Sequence, residues 1–588
     1  ISMANFETKA LVNTPNYSKI NLTYESIGTL QMGIATPVLH KTIVPGDHWS
    51  LSVDQIMRLA PLASPVFDDV SLNFRAFFVP NRILDPRWKE FITAGVGLYG
   101  SSDNEISPLS FSVRSLLSAY DDSRPLGDST PYYTYAAGVG GLADWLNFHF
   151  SRYDNETGRP CYYDGDNKTL LTYQNGSQSS FDMLPFLGYQ KIYDDWYRNE
   201  RVQPERLPNI ISYLRDTASD ERLFDLDLSL NPNDVRNPFS LWRVNYGKDR
   251  YTTALPEPVE GGDVTYGSSD PLVGNLWSMG ELPEANFINP SQNPAGASLY
   301  SSPDADPDPY LGNLSAVVAG TNSHTNVLLT IVESARDTIR NLKTAFKMYD
   351  FFMKDTYGGN RYVEFMQNHF NVRVPDATLD RCIYLGDHKV RISFGEVFQT
   401  SQGTVNAETG EVSGGVLGDY AGRGAAYSDD GFLFNEKFLE HGQLYVIASI
   451  VPRAKYYQGV DKKFFKGDRF DYFFPEFQNI GDSELFTKEL FHIGNEDSEQ
   501  IDVFGFAPRW SELKESLDEV HGDFLTDSMD EYHFGRSFDD APLISSTFSK
   551  VPTINRPFSY TDSFSENYLI NMRWRASAAR PVMLYEVF

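Results

Sequence analysis

Three groups of residues have types and spacings that could do chemistry. Asp304, Asp306 and Asp308 alternate as the oxygen ligands of a calcium loop would. Pro307 and Pro309 interrupt them, and the glycine and distal glutamate of an EF-hand are missing, so an exposed Pro–Asp loop is the better reading. Gly138, Gly140 and Gly141 fall short of a dinucleotide fingerprint, because Ala143 stands at the last glycine and no strand precedes them. The third group is basic and aromatic. Arg573, Trp574, Arg575 and Arg580 crowd the C-terminal end, and Lys462, Lys463, Lys466 and Arg469 surround Phe464, Phe465 and Phe470. Such interleaving suits phosphate pairing and base stacking on single-stranded nucleic acid. It suits strand-edge charge or contact with a neighbouring subunit equally well.

The remaining chemistry is excluded or undirected. There is no GxSxG, Walker or kinase signature. The ten histidines form no HExxH or His-x-His pair that would support zinc. Carboxylates are too abundant for a glycosidase pair to be picked out. The expectation is therefore no catalytic residue, no metal and no cofactor. Net charge is −29 over 588 residues, whereas a free-standing nucleic-acid binder is normally basic. Contact with nucleic acid must then be local. Cys161 and Cys382 are two thiols rather than a disulfide framework. No apolar run approaches the ~18 residues of a membrane span, and ISMANFETKA has no signal-peptide core. The expectation is a soluble chain made inside a cell, with no membrane insertion.

The elements that must position these groups are organised around His40–Gly95. Val70, Leu72, Phe74, Ala76 and Phe78 alternate with Ser71, Asn73, Arg75 and Phe77, as a strand with one buried face requires. Pro80 and Asn81 close it. A Pro45-Gly46-Asp47 turn precedes a second alternating run, Trp49, Leu51 and Val53. Pro86 and Trp88 open a short helix stopped by Gly95. Helical spacing recurs in 140–148. It recurs in 182–203, where Asp182 caps and Tyr189, Ile192, Tyr193 and Trp196 share a face. A third instance starts at Ser334, with Ile339, Leu342, Phe346, Tyr349 and Phe352 as its stripe. Residues 1–39 read as an extended arm. Loop-like insertions are expected at about 100–181, 259–330 and 402–430, and the second is too long for a bare loop in a compact domain. GQLYVIASIVP is the clearest late strand, 515–541 carries nine acids against Arg536, and 569–575 alternates to the end.

Ordered blocks of this sequence resemble one family. PGD, then RLAPLASPV, then FFVPNRI-x4-W-x2-FITAG is similar to the major capsid protein of microviruses, the small icosahedral single-stranded DNA phages, in their gokushovirus-like branch. DMLPFLGYQKIYDDWYRNERVQ, NYGKDRYTTALPEP, DTYGGNRYVEF and the terminal ARPVMLY continue the resemblance in order.

The β-runs and proline-bounded turns support an all-β core. The resemblance implies an eight-stranded antiparallel jelly roll, two facing sheets in one domain over 40–588, with few helices, all in connections. It implies a structural protein of the virion that self-assembles through pentamers into a T=1 shell around circular single-stranded DNA. It further implies a small basic DNA-binding protein, an internal scaffolding protein and a pilot protein as partners. Assembly would occur in the host bacterial cytoplasm, and 259–330 would project and meet a host receptor. The DNA-facing candidates are Arg573, Trp574, Arg575, Arg580, Lys462, Lys463 and Lys466. The competing reading is a β-sandwich carbohydrate-active enzyme or a lectin-like binding module.

Overall fold

The computed structural model describes residues 17–92, 107–126, 132–216, 222–258, 339–398, 404–405, 412–413, 420–477, 481–494, 503–559 and 566–582, apart from 156, 165–166, 231–233, 359–361 and 371–374. Nine strands make the main framework: β1 (Ser18–Asn21), β2 (Tyr24–Leu30), β3 (Thr36–Ile43), β4 (His48–Leu59), β5 (Val70–Pro80), β6 (Ile383–Phe398), β7 (Tyr420–Lys437), β8 (Gly442–Pro452) and β9 (Tyr568–Arg580).

All their pairings are antiparallel, and they fall into two four-stranded groups. One runs β2–β9–β4–β7, with β1 extending the β2 edge along β9. The other runs β3–β8–β5–β6. Counting β2 to β9 as eight positions, the orders are 1-8-3-6 and 2-7-4-5, the wrapping of a jelly roll. The long β6 serves both groups: residues 383–392 pair with β5 and 393–398 with β7, which joins the sheets along one side. The inward faces meet across the middle, where the Phe74 ring on β5 stands edge-on to Trp574 on β9 at 6.2 Å. Trp49, Leu51, Val53, Leu72, Phe74, Ile570, Met572 and Trp574 are fully or almost fully buried between them.

The alternation of β5 holds from Val70 to Ala76 and then stops, because Phe77 is buried as well. Its outward ring packs on Trp196 and Tyr197, which follow helix α1 (Leu184–Ile192). That helix begins where Leu184 N–H donates to Asp182 Oδ1 at 3.0 Å, with Pro185 in its first turn. Gly188 lets it lie on the sheet, since a Cβ there would sit 2.3 Å from the Tyr445 hydroxyl oxygen.

Several boundaries differ from those read in the sequence. Residues 1–39 do not end as a separate arm: β2 pairs along β9, and β3 runs through position 39. The interval 100–181 is not all surface loop. Phe111 is buried against Phe148, Phe186 and Phe239, and a helix at Val113–Ser118 buries Leu116 and Leu117. Gly140–Phe148 yields only one helical turn, Leu142–Trp145. The end of 402–430 belongs to β7, whose glycines disguise it. Gly431 sits at a bulge where a Cβ would come within 2.5 Å of His388.

Val259–Arg373 clusters as a second compact unit. The helix there is α2 (Ile339–Gly358), followed by α3 (Tyr362–Phe370), with Phe351 and His369 rings 4.5 Å apart. Of its expected stripe, Tyr349 and Phe352 are half-buried but Phe346 is exposed. The 259–330 insertion and the Ser334/Asp337 cap lie outside the described residues.

Candidate functional site

The two basic–aromatic segments have different structures. On β9, side chains alternate between core and outer face, so neighbours in sequence point opposite ways. Trp574 is 0% exposed and belongs to the core, which removes it from any stacking surface and corrects its sequence reading. Arg573 and Arg575 point outward. Arg573 is exposed and lies in register between Glu25 on β2 and Asp54 on β4. Arg575 reaches Asp54 at 2.7 Å and Asp429 at 3.3 Å. Arg580 Nε contacts Asp47 Oδ2 at 3.0 Å, its Nη2 donates to the Thr42 carbonyl oxygen at 3.0 Å, and its guanidinium covers the Trp49 ring. Asp47 is fully buried and also accepts from Trp49 Nε1 and Val44 N–H. Arg580 thus neutralises a buried carboxylate.

Residues 461–477 instead form a knot of 3₁₀ turns at the surface, at Lys462–Phe464, Arg469–Asp471 and Pro475–Phe477. Asp461 caps the first through Lys463 N–H, and Asp468 and Asp471 form a capping box at the second. Lys462 Nζ donates to Ser483 Oγ at 3.2 Å and to the Glu484 carbonyl at 3.0 Å. Lys463 pairs with Asp461 at 3.3 Å and lies over Phe464; Lys466 lies over Tyr472 and Arg469 over Phe470. Phe470 and Phe474 both pack edge-on to Phe477, and Phe473 to Trp510. Phe464 remains 73% exposed and Tyr472 55%. Phe465 stacks on Phe486 at 5.5 Å, and a separate small core gathers Tyr251, Leu485, Leu490, Phe504, Ala507 and Phe548.

Sequence reasoning missed the residues that hold this region to the jelly roll. Arg536, the single cation of the acidic stretch, is buried among the Tyr246, Tyr456, Phe538 and Phe548 rings and donates to the Phe548 carbonyl at 2.5 Å. Lys455 pairs at 2.7 Å with Asp68, whose side chain is fully buried and which also accepts from Phe534 N–H at 2.8 Å. The signal was a lone basic residue among acids and aromatics. Two of its rings, Tyr246 and Tyr456, are remote in sequence.

One cleft, about 390 Å³, is lined by Lys191, Asp194, Asp195, Glu205 and Ile211 among others. Its polar groups are engaged structurally. Lys191 pairs with Asp195 at 2.9 Å, Asp195 accepts from Cys382 N–H, and Asp194 accepts from Arg206 and Leu207 N–H. Burial raises the pKa of the Asp194 carboxyl. Among the described residues no cluster of three His, Cys, Asp or Glu could hold a metal ion. Asp304, Asp306 and Asp308 lie outside them.

The site thus consists of a jelly roll filled by aromatic side chains, with Arg575, Arg580 and Lys463 paired to acids of this chain. The comparisons give the family. Residues 10–122 and 165–588 match the family described as Capsid protein (F protein). The chain is 26% identical to capsid protein VP1 of Chlamydia phage 1, over 95% of this chain and 93% of that protein. It is 26% identical to VP1 of Bdellovibrio phage phiMH2K (97% and 95%) and 24% identical to VP1 of Spiroplasma virus 4 (97% and 94%). The chain belongs to the F-type capsid protein family of microvirus-like phages.

Proposed function

We propose that this chain is the subunit of a T=1 icosahedral shell, assembled through pentamers around circular single-stranded DNA. The observation that carries the reading is membership of a capsid family over nearly the whole chain, on a jelly-roll framework. Closed shells require several large contact surfaces on each copy, and a chain that is 14% aromatic can provide them. Family membership favours this role over a carbohydrate-active enzyme or a lectin-like module.

Charge sets the partner. A subunit of −29 does not attract DNA, and screening reaches only ~8 Å at 0.15 M salt. Of the candidate DNA-facing cations, Arg575, Arg580 and Lys463 are paired with this chain's own acids, and Lys462 and Lys466 with its polar atoms or rings. A small basic protein packaged with the genome supplies the missing positive charge. Internal scaffolding and pilot proteins complete the particle, which forms in the host bacterial cytoplasm, and 259–330 serves attachment to a host receptor. The test is the composition of purified DNA-filled particles. A stoichiometric basic polypeptide is expected. Its absence, with tight and steeply salt-dependent DNA binding by the capsid protein alone, would overturn the charge argument. Limited proteolysis of intact particles should cut first within 259–330; sparing of that segment would oppose its projection.

A further inference from the structure

We propose that the 461–477 knot is a contact between copies of this chain, its exposed rings seated against a neighbouring subunit. This deepens the capsid reading and rests on it. The rings are the starting point. Phe464, Phe470, Tyr472, Phe473 and Phe474 are 73%, 41%, 55%, 41% and 40% exposed within one short segment; Phe470 and Phe474 meet through Phe477, and Phe473 packs on Trp510. A cluster of large apolar side chains on one surface marks an interaction site rather than scattered exposure.

The shape is built and not accidental. Two capped 3₁₀ turns fix the backbone, and Arg509 Nη2 donates to the Phe470 carbonyl at 3.3 Å. Phe465 stacks on Phe486, and Lys462 is tied to Ser483 and Glu484. Rigid aromatic side chains on a fixed support lose little entropy on docking, the property of interface anchors.

Charge chooses the occupant. Asp461, Asp468, Asp471 and Glu476 balance Lys462, Lys463, Lys466 and Arg469, so the knot is neutral in a chain of −29. Two copies repel each other over most of their surfaces, and a neutral apolar patch is where that repulsion is least. A polyanion is poorly matched here, because four acids are interleaved with the rings. Three of the cations already lie over rings of this chain, and the fourth, Lys462, donates to its Ser483 and Glu484. A second copy has the balanced charge and matching apolar surface that fit.

The test compares wild type with Phe464→Asp and Phe474→Asp, measuring particle yield by sedimentation and electron microscopy and the melting temperature of unassembled subunits. The proposal expects particle yield to fall roughly ten-fold or more in both variants, with melting unchanged for Phe464→Asp, whose side chain is 73% exposed, and lowered only slightly for Phe474→Asp, which also loses its packing on Phe477. Wild-type particle yield from both variants would overturn it. So would intact shells that merely lose DNA, which would place the rings against the genome. Should a variant fail to fold, hydroxyl-radical footprinting of the wild type decides. Phe464, Phe470 and Tyr472 must be protected in DNA-free particles relative to free subunits, and equal reactivity overturns the proposal. A wild-type chain that forms no particle under any condition would sink the capsid reading as well, a result distinct from either variant outcome.

Discussion

The C-terminal strand and the 461–477 knot have the same composition in outline, arginine or lysine interleaved with aromatic rings, yet they do opposite things. In β9 a strict two-residue period sends Trp574 into the core and Arg573 and Arg575 out, where Arg575 meets acids of neighbouring strands. In the knot no regular period exists, the turns leave Phe464, Phe470, Tyr472, Phe473 and Phe474 exposed while Phe465 stacks inward on Phe486, and three cations lie across Phe464, Tyr472 and Phe470. Basic–aromatic composition alone therefore does not specify an interface. Backbone period decides which half of the pattern reaches solvent.

The largest effect that could break this contrast is on the core side. Trp574→Ala and Phe74→Ala should each destabilise the subunit by about 3–5 kcal/mol, seen in denaturant unfolding. Near-wild-type stability of both would mean that the two sheets do not meet as described. Arg580→Ala should cost about 2–3 kcal/mol, because it strands the Asp47 carboxylate inside the fold. If stability held while DNA binding fell, Arg580 would be a DNA contact after all. Arg575→Gln, at a half-exposed pair, should change stability by less than about 1 kcal/mol.

A pH prediction concerns the β3 edge of the second sheet. His40 on β3 donates from Nε2 to Gln443 Oε1 at 2.9 Å and lies against the Tyr445 ring. Burial pulls its pKa down to about 4. The unfolded chain, with an ordinary histidine near 6.5, therefore takes up more protons than the folded one as pH falls. His40 leaves stability intact above pH 6.5, erodes it between 6.5 and about 4, and adds nothing further below that. His40→Gln should flatten the stability slope in this window, and an unchanged slope would remove His40 as the source. Smallest of all, Phe464→Asp should leave unfolding within about 0.5 kcal/mol of wild type.

The period-two runs of Val70–Phe78, Trp49–Val53 and Leu569–Arg575 were legible because each buries one face of a sheet, and all three are strands of the framework. The glycine-rich start of β7 was not, since its register depends on a bulge at Gly431 and on pairing with β6 and with β4, the latter remote in sequence. The burial of Phe77 was hidden for the same reason, for Trp196 and Tyr197 after α1 and Tyr384 on β6, all distant in sequence, cover its ring. At the surfaces, the cations were visible but their partners were not. Asp47, Asp54 and Asp429 lie from 146 to 533 positions away in sequence.

The central claim is that this jelly roll closes into a shell through neutral, ring-bearing contacts. Cryo-electron microscopy of particles assembled from the purified full chain tests it directly. The predicted result is a closed T=1 shell of β2–β9–β4–β7 and β3–β8–β5–β6 sheet pairs, with the 461–477 rings buried against a neighbouring copy. A chain that remains a monomer or small oligomer, or a shell in which those rings face solvent or DNA, would contradict it.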